Sequence, residues 1–106
     1  MSIIKSTDET FEKIIKENKL VLIDFWAPWC SPCIALSPIL EKIDQELNNK
    51  LTIAKHNIDD EPNSPTAKGV RGIPTMLLYK DSKLVETKVG LSNKADLTNL
   101  INSYLV

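Results

Sequence analysis

The sequence predicts an α/β domain, a central mixed β-sheet of about five strands flanked by about four helices. Three observations carry this expectation. Leu20 through Ala27 is an apolar run rich in β-branched and aromatic residues, the composition of a strand buried on both faces. Helical and strand periodicities alternate along the chain as βαβα, then an extended strand and a short helix, then ββα. Finally, 106 residues are enough for one sizeable core, and no repeat, low-complexity tract or linker divides residues 1–106.

In chain order, Ile3 and Ile4 suit a short edge strand. Ser6-Thr7-Asp8-Glu9 reads as a capping box, with Ser6 at the N-cap and Glu9 three residues on. Phe11, Ile14 and Ile15 then mark an amphipathic helix to about Asn18. The central strand follows. After Cys33, Leu36, Leu40, Ile43 and Leu47 recur at helical spacing beside Ile39, while Glu41, Lys42, Asp44, Gln45 and Glu46 fill the other face. Pro38 falls inside this helix, where it removes a backbone hydrogen bond and favours a kink, and Asn48-Asn49 ends it.

Leu51 through Ile58 alternates as a strand, and Asp59 through Pro65 is turn chemistry. Ser64-Pro65 opens a short helix that Gly69 closes. Thr75–Tyr79 and Leu84–Val89 form an antiparallel hairpin across Asp81-Ser82, a weaker tight-turn signal than Asp-Gly. Leu97, Leu100, Ile101, Tyr104 and Leu105 mark a last amphipathic helix entered through Ser92 or Asn93.

Composition narrows the function classes. Hydrophobic residues at 42% and charged residues at 25% are ordinary for a globular protein, and a net charge of −1 points to no nucleic acid or membrane partner. The first residues turn acidic and polar where a signal peptide would need its apolar core. No apolar run approaches the roughly 20 residues that span a bilayer. The expected location is therefore cytoplasmic, where two closely spaced cysteines suggest catalysis or metal binding rather than a static staple.

Cys30-Ser31-Pro32-Cys33 falls between the strand's carboxyl end and a helix's amino end, where N–H groups and the helix dipole favour negative charge. The thiolate is the nucleophilic form of cysteine, so that position favours reactivity. The bland readings are a structural disulfide, half a zinc site, or two inert thiols. Zinc normally takes four ligands and only His56 remains as a soft candidate, so no metal is expected. Pro28 and Pro32, which stiffen the approach and the loop, favour redox chemistry over inert packing.

Asp24 stands inside an apolar run, where burial would raise its pKa; the alternative is a solvated position at a bulge or strand edge. His56 reads as a surface or packing residue rather than a ligand, and Trp26 as a packing partner beneath the cysteines. Met76 and Tyr79 read as core, and Asp59, Asp60 and Glu61 as a solvated turn.

Asp24-Phe25-Trp26-Ala27-Pro28-Trp29-Cys30-Ser31-Pro32-Cys33, then Pro38, Gly72-Ile73-Pro74-Thr75 and Lys88-Val89-Gly90, resemble the thioredoxin family in content and order. The resemblance spans essentially the whole chain. It implies the thioredoxin fold and a thiol–disulfide oxidoreductase that reduces protein disulfides through a mixed disulfide. By the same resemblance Cys30 is an exposed, low-pKa nucleophile and Cys33 is the more buried resolving thiol. Trp29 covers the site, a cis Pro74 sets the Ile73 backbone against the dithiol to pair with substrate, and Gly90 leaves room for it. Asp24 lies buried under the dithiol and exchanges protons with Cys33 through water, with Lys55 nearby moderating its shift.

The resemblance further implies disulfide-containing clients, a flavin- and NADPH-dependent thioredoxin reductase as electron source, no bound cofactor, and a monomer. Two other readings use the same fold. An oxidant or isomerase would differ in redox potential, and a binding module or processivity subunit would not turn over.

Three features depart from the family pattern, two single residues and one turn. Ser31 replaces the usual Gly, and its hydroxyl could donate to the Cys30 sulfur, which makes the expected potential less reducing than that of a Gly-containing relative. Ile34 stands where many relatives carry a basic residue, adding apolar surface near the dithiol. Asp81-Ser82 lacks the usual hairpin glycine.

Overall fold

A computed structural model describes residues 3–47 and 49–105. The elements are β1 (Ile4–Ser6), α1 (Phe11–Glu17), β2 (Leu20–Trp26), α2 (Ser31–Leu47), β3 (Thr52–Asn57), α3 (Asn63–Ala67), β4 (Thr75–Lys80), β5 (Lys83–Val89) and α4 (Lys94–Asn102). The expected order therefore holds, except that Asn48, expected at a helix terminus, lies outside the described residues.

The five strands form one sheet in the order β1-β3-β2-β4-β5. β1, β3 and β2 run parallel, while β4 is antiparallel to β2 and β5 to β4. β2 takes the middle because both its faces are apolar and both find cover. On one face Leu20 and Leu22 pack with Leu36 and Leu40 of α2 and with Leu97 and Ile101 of α4. On the other, Val21, Ile23 and Phe25 pack with Phe11, Ile14 and Ile15 of α1.

Residues paired in register point to the same face of a sheet. Lys5, Lys55, Asp24, Met76 and Lys88 therefore form one row across all five strands. Met76 belongs to the cluster under α2 and α4, which places the row on that face.

Several local expectations change. Ser6 is not an N-cap: it pairs with His56 in the parallel register of β1 and β3 and is fully buried. Its Oγ lies 2.8 Å from His56 Nδ1. Strand pairing thus takes the serine, and the turn before α1 is closed by two threonines instead. The Thr7 amide donates to Thr10 Oγ1 at 2.9 Å, and the Thr10 amide returns a bond to Thr7 Oγ1 at 3.1 Å.

Asp44 is buried at the sheet side of α2 rather than on its outer face, since it follows Leu40 by one turn. Pro38 lies within α2 without dividing it. α4 begins as expected at Asn93, whose side chain accepts from the Asp96 amide at 2.8 Å. Tyr104 and Leu105 lie past its end; Tyr104 is tied to β5 through its hydroxyl, 2.6 Å from Glu86.

The hairpin turn has φ +50° at Asp81 and +70° at Ser82, the positive pair that a two-residue turn of the mirror-image type requires. Aspartate tolerates this region; serine is less suited to it. Ser82→Gly is accordingly expected to stabilise the fold by about 0.5–1 kcal/mol, read as a raised urea midpoint at unchanged slope. A lowered midpoint would mean that the serine side chain holds the turn.

Candidate active site

The site is built where β2 stops. Ala27, Pro28 and Trp29 turn the chain, the Cys30 amide donates to the Ala27 carbonyl at 3.1 Å, and α2 starts at Ser31. Cys30 thus occupies the residue before the helix. Its carbonyl accepts from the Ile34 amide at 3.1 Å, and its sulfur accepts from the Cys33 amide at 3.3 Å. A side-chain acceptor meeting the third helical amide is ordinarily the task of Ser, Thr or Asp; here a sulfur performs it. Cys30 and Cys33 are joined as a disulfide with 5.2 Å between Cα atoms. The same amide and the positive end of α2 favour negative charge at the Cys30 sulfur.

Cys33 is the more buried of the pair, at 1% exposure against 5% for Cys30. The expectation of an exposed Cys30 is corrected: in the disulfide both sulfurs pack among Ala27, Trp26, Ile58 and Ile73. The exposed apolar surface comes from their neighbours, Trp29 at 66% and Ile34 at 57%. Ser31 and Pro32, the first two residues of α2, are exposed. In the disulfide form the donor to the Cys30 sulfur is the Cys33 amide rather than the Ser31 hydroxyl.

Trp29 is anchored by its indole N–H, which donates to the Asp59 carboxylate at 2.9 and 3.2 Å. Asp59 is therefore more than part of a solvated turn, and nothing in its local sequence distinguishes it from Asp60. A groove of about 440 Å³ runs from Trp29 past Ile58 and Pro62 to Val70, Gly72 and Ile73. The Ile73–Pro74 peptide is cis, as expected. Beside it the Gly90 amide donates to the Pro74 carbonyl at 2.7 Å. Gly90 has φ +92° and open space where a side chain would begin.

Asp24 is fully buried, and neither of its oxygens has a hydrogen-bond partner among the described residues. The solvated-edge alternative is thereby excluded. Burial pushes its pKa up to about 7, with the nearby Lys55 ammonium drawing it partly down. Lys55 is its register neighbour on β3. The ammonium donates to Ser37 Oγ at 3.1 Å and sits 4.5 Å above the Trp26 ring. Sequence reasoning does not single out Ser37, because its partner lies on another element.

His56 is a packing residue: Nδ1 meets Ser6, Nε2 meets the Glu61 carbonyl at 2.9 Å, and Asp8 Oδ1 lies 3.4 Å away. Among the described residues no group of three or more His, Cys, Asp or Glu could hold a metal. Nor is any helix among them long and apolar enough to cross a membrane.

The thioredoxin family model matches residues 2–103. The chain belongs to the thioredoxin family. It is 49% identical to the thioredoxin of Acidithiobacillus ferridurans over 105 residues, covering 98% of this chain and 97% of that one. It is 45% identical to the thioredoxin of Bacillus subtilis (strain 168), covering 99% and 100%. Among solved structures, a mutant thioredoxin from Halobacterium salinarum NRC-1 superposes with a TM-score of 0.92 at 34% identity, covering 99% of this chain and 92% of that one. The fold is the thioredoxin fold, and the protein is a thiol–disulfide oxidoreductase whose redox-active pair is Cys30–Cys33.

A buried acid of this kind leaves a signature in stability. Folded Asp24 keeps its proton to about pH 7, whereas unfolded aspartate releases it near its ordinary value of 3.8. Between those values the folded state binds more protons, so stability falls as pH rises, by about 4 kcal/mol in all. Relative to the parent, Asp24→Asn is expected to gain stability steadily from about pH 4 to pH 7 and no further above it, by urea unfolding. A pH-independent difference would contradict the buried-acid assignment.

Proposed function

We propose that this thioredoxin-family protein works as a reductant of protein disulfides, with Cys30 attacking and Cys33 resolving. The observation that carries this assignment is the Cys30 sulfur at the amino end of α2, accepting from the Cys33 amide and less buried than Cys33. The Cys30 thiolate attacks one sulfur of a client disulfide; that S–S bond breaks, a mixed disulfide forms, and the first client thiolate leaves. Cys33 then loses its proton and attacks the Cys30 sulfur. The second client thiolate departs and is protonated, leaving the Cys30–Cys33 disulfide and a client reduced by two electrons.

Asp24 accepts the Cys33 proton through water, a role suited to a carboxyl whose pKa stands near 7. Lys55 tempers it. Trp26 packs beneath the cysteines, while Ser31 and Pro32 tune the couple at the start of α2. An extended client segment seats against Trp29, pairs with the Ile73 backbone before Pro74, and passes the open side of Gly90. The family resemblance supports re-reduction by a flavin- and NADPH-dependent thioredoxin reductase. It likewise supports a single thioredoxin domain over residues 1–106, acting as a monomer in the cytoplasm.

The test is trapping. With insulin as the disulfide client, Cys33→Ser is expected to accumulate a mixed disulfide on Cys30, with turnover falling to the uncatalysed level. Cys30→Ser should trap nothing. A trapped adduct on Cys33, or turnover by Cys33→Ser at the parent rate, would reverse the two roles or remove them.

A further inference from the structure

We propose that Ser37 is a positioning residue for Asp24: its hydroxyl holds the Lys55 ammonium over the Trp26 ring and off the buried carboxylate. The functional weight of this contact rests on the reading of Asp24 as the group that exchanges protons with Cys33.

Lys55 is the register neighbour of Asp24 on the same face of the sheet, so the two side chains leave the backbone side by side. An ammonium beside a buried, unbonded carboxylate would ordinarily pair with it. Neither Asp24 oxygen accepts a hydrogen bond from the described residues, however, and the Lys55 Nζ donates instead to Ser37 Oγ at 3.1 Å. The Trp26 ring, 4.5 Å from Nζ, supplies a second attraction away from Asp24. Ser37 follows Cys33 by one helical turn, so the hydroxyl lies on the stripe of α2 that also carries the resolving cysteine.

The charged surroundings leave few competitors. From β4, Asp24 faces Met76, which has no charge. Lys5 on β1 and Lys88 on β5 stand in the same row, one strand beyond Lys55 and Met76 respectively. From α2 come Ser37, Cys33, which is bound in the disulfide, and, two turns beyond Ser37, the buried carboxyl of Asp44; α4 packs on this face through Leu97 and Ile101. On the β1 side a cavity of about 330 Å³, lined by Lys5, Trp26, Lys55, Asn57 and Asp60, reaches Lys55. Asp60 there is exposed and screened by water, so the unbonded Asp24 carboxylate is the stronger acceptor for a released ammonium.

A cation brought within about 4–6 Å of a carboxyl lowers its pKa by roughly 1–3 units. With Lys55 paired directly, Asp24 would stay ionised and could not take up a proton at neutral pH. Parked on Ser37, the ammonium tempers the carboxyl without capturing it.

The test is an NMR titration of the carbon-13-labelled Asp24 carboxyl in the oxidised protein. In Ser37→Ala the midpoint is expected to fall by about one pH unit, and in Ser37→Thr, which restores a hydroxyl, to stay at the parent value. Adding Ser37→Ala to a Lys55→Met background should then move nothing, because the effect travels through the ammonium. An unchanged or raised midpoint in Ser37→Ala, or a fall that persists in Lys55→Met, overturns the proposal. Alanine suits a helix interior, so Ser37→Ala leaves α2 intact. The titration reads Asp24 whether or not it serves Cys33. That role fails separately if Asp24→Asn resolves mixed disulfides at the parent rate.

Discussion

The hydrogen bond from the Cys33 amide to the Cys30 sulfur exists only because β2 ends where it does. A strand buried on both faces is fixed in register by two neighbours, so its last residue, Trp26, is fixed as well. Four residues later the chain must already be turning into a helix, and the residue before the helix has to offer an acceptor to an amide that has no helical partner. That residue is a cysteine. Cys33, one turn further on, is thereby held at disulfide distance and under cover.

The same strand carries the site's main conflict. An aspartate in the middle of β2 costs stability whenever it is ionised, yet it stands on the face of α2, with Lys55 beside it. The two influences on the dithiol oppose one another. A thiolate held by an amide and a helix terminus favours the reduced form and makes a couple more oxidising. Apolar packing around both sulfurs disfavours the charge and makes it more reducing. Ser31, exposed and not the donor to the Cys30 sulfur in the oxidised form, adds little to either until the disulfide opens.

What is legible in sequence follows a physical line. β2, α2 and the cysteine pair declare themselves through period, composition and spacing, which are local, and Asp24 stands out because a carboxylate in such a run is costly wherever the strand lies. The misreadings occur where a partner from elsewhere decides. Ser6 matches a capping box, but β3 brings His56 to it. Asp59 gains its role from Trp29, 30 residues earlier in the chain, and Ser37 from Lys55, 18 residues later. Asp44 reads as an outer-face residue only when polarity is weighed above helical phase.

Whether the protein is a reductant, rather than an oxidant or isomerase on the same fold, depends on the balance at the dithiol. The direct measurement is the reduction potential of the Cys30–Cys33 couple, by equilibration against a glutathione or reference dithiol buffer. The expected result is about −270 mV, the general value for thioredoxins. A potential near about −180 mV, the region of protein disulfide isomerase, would contradict the assignment.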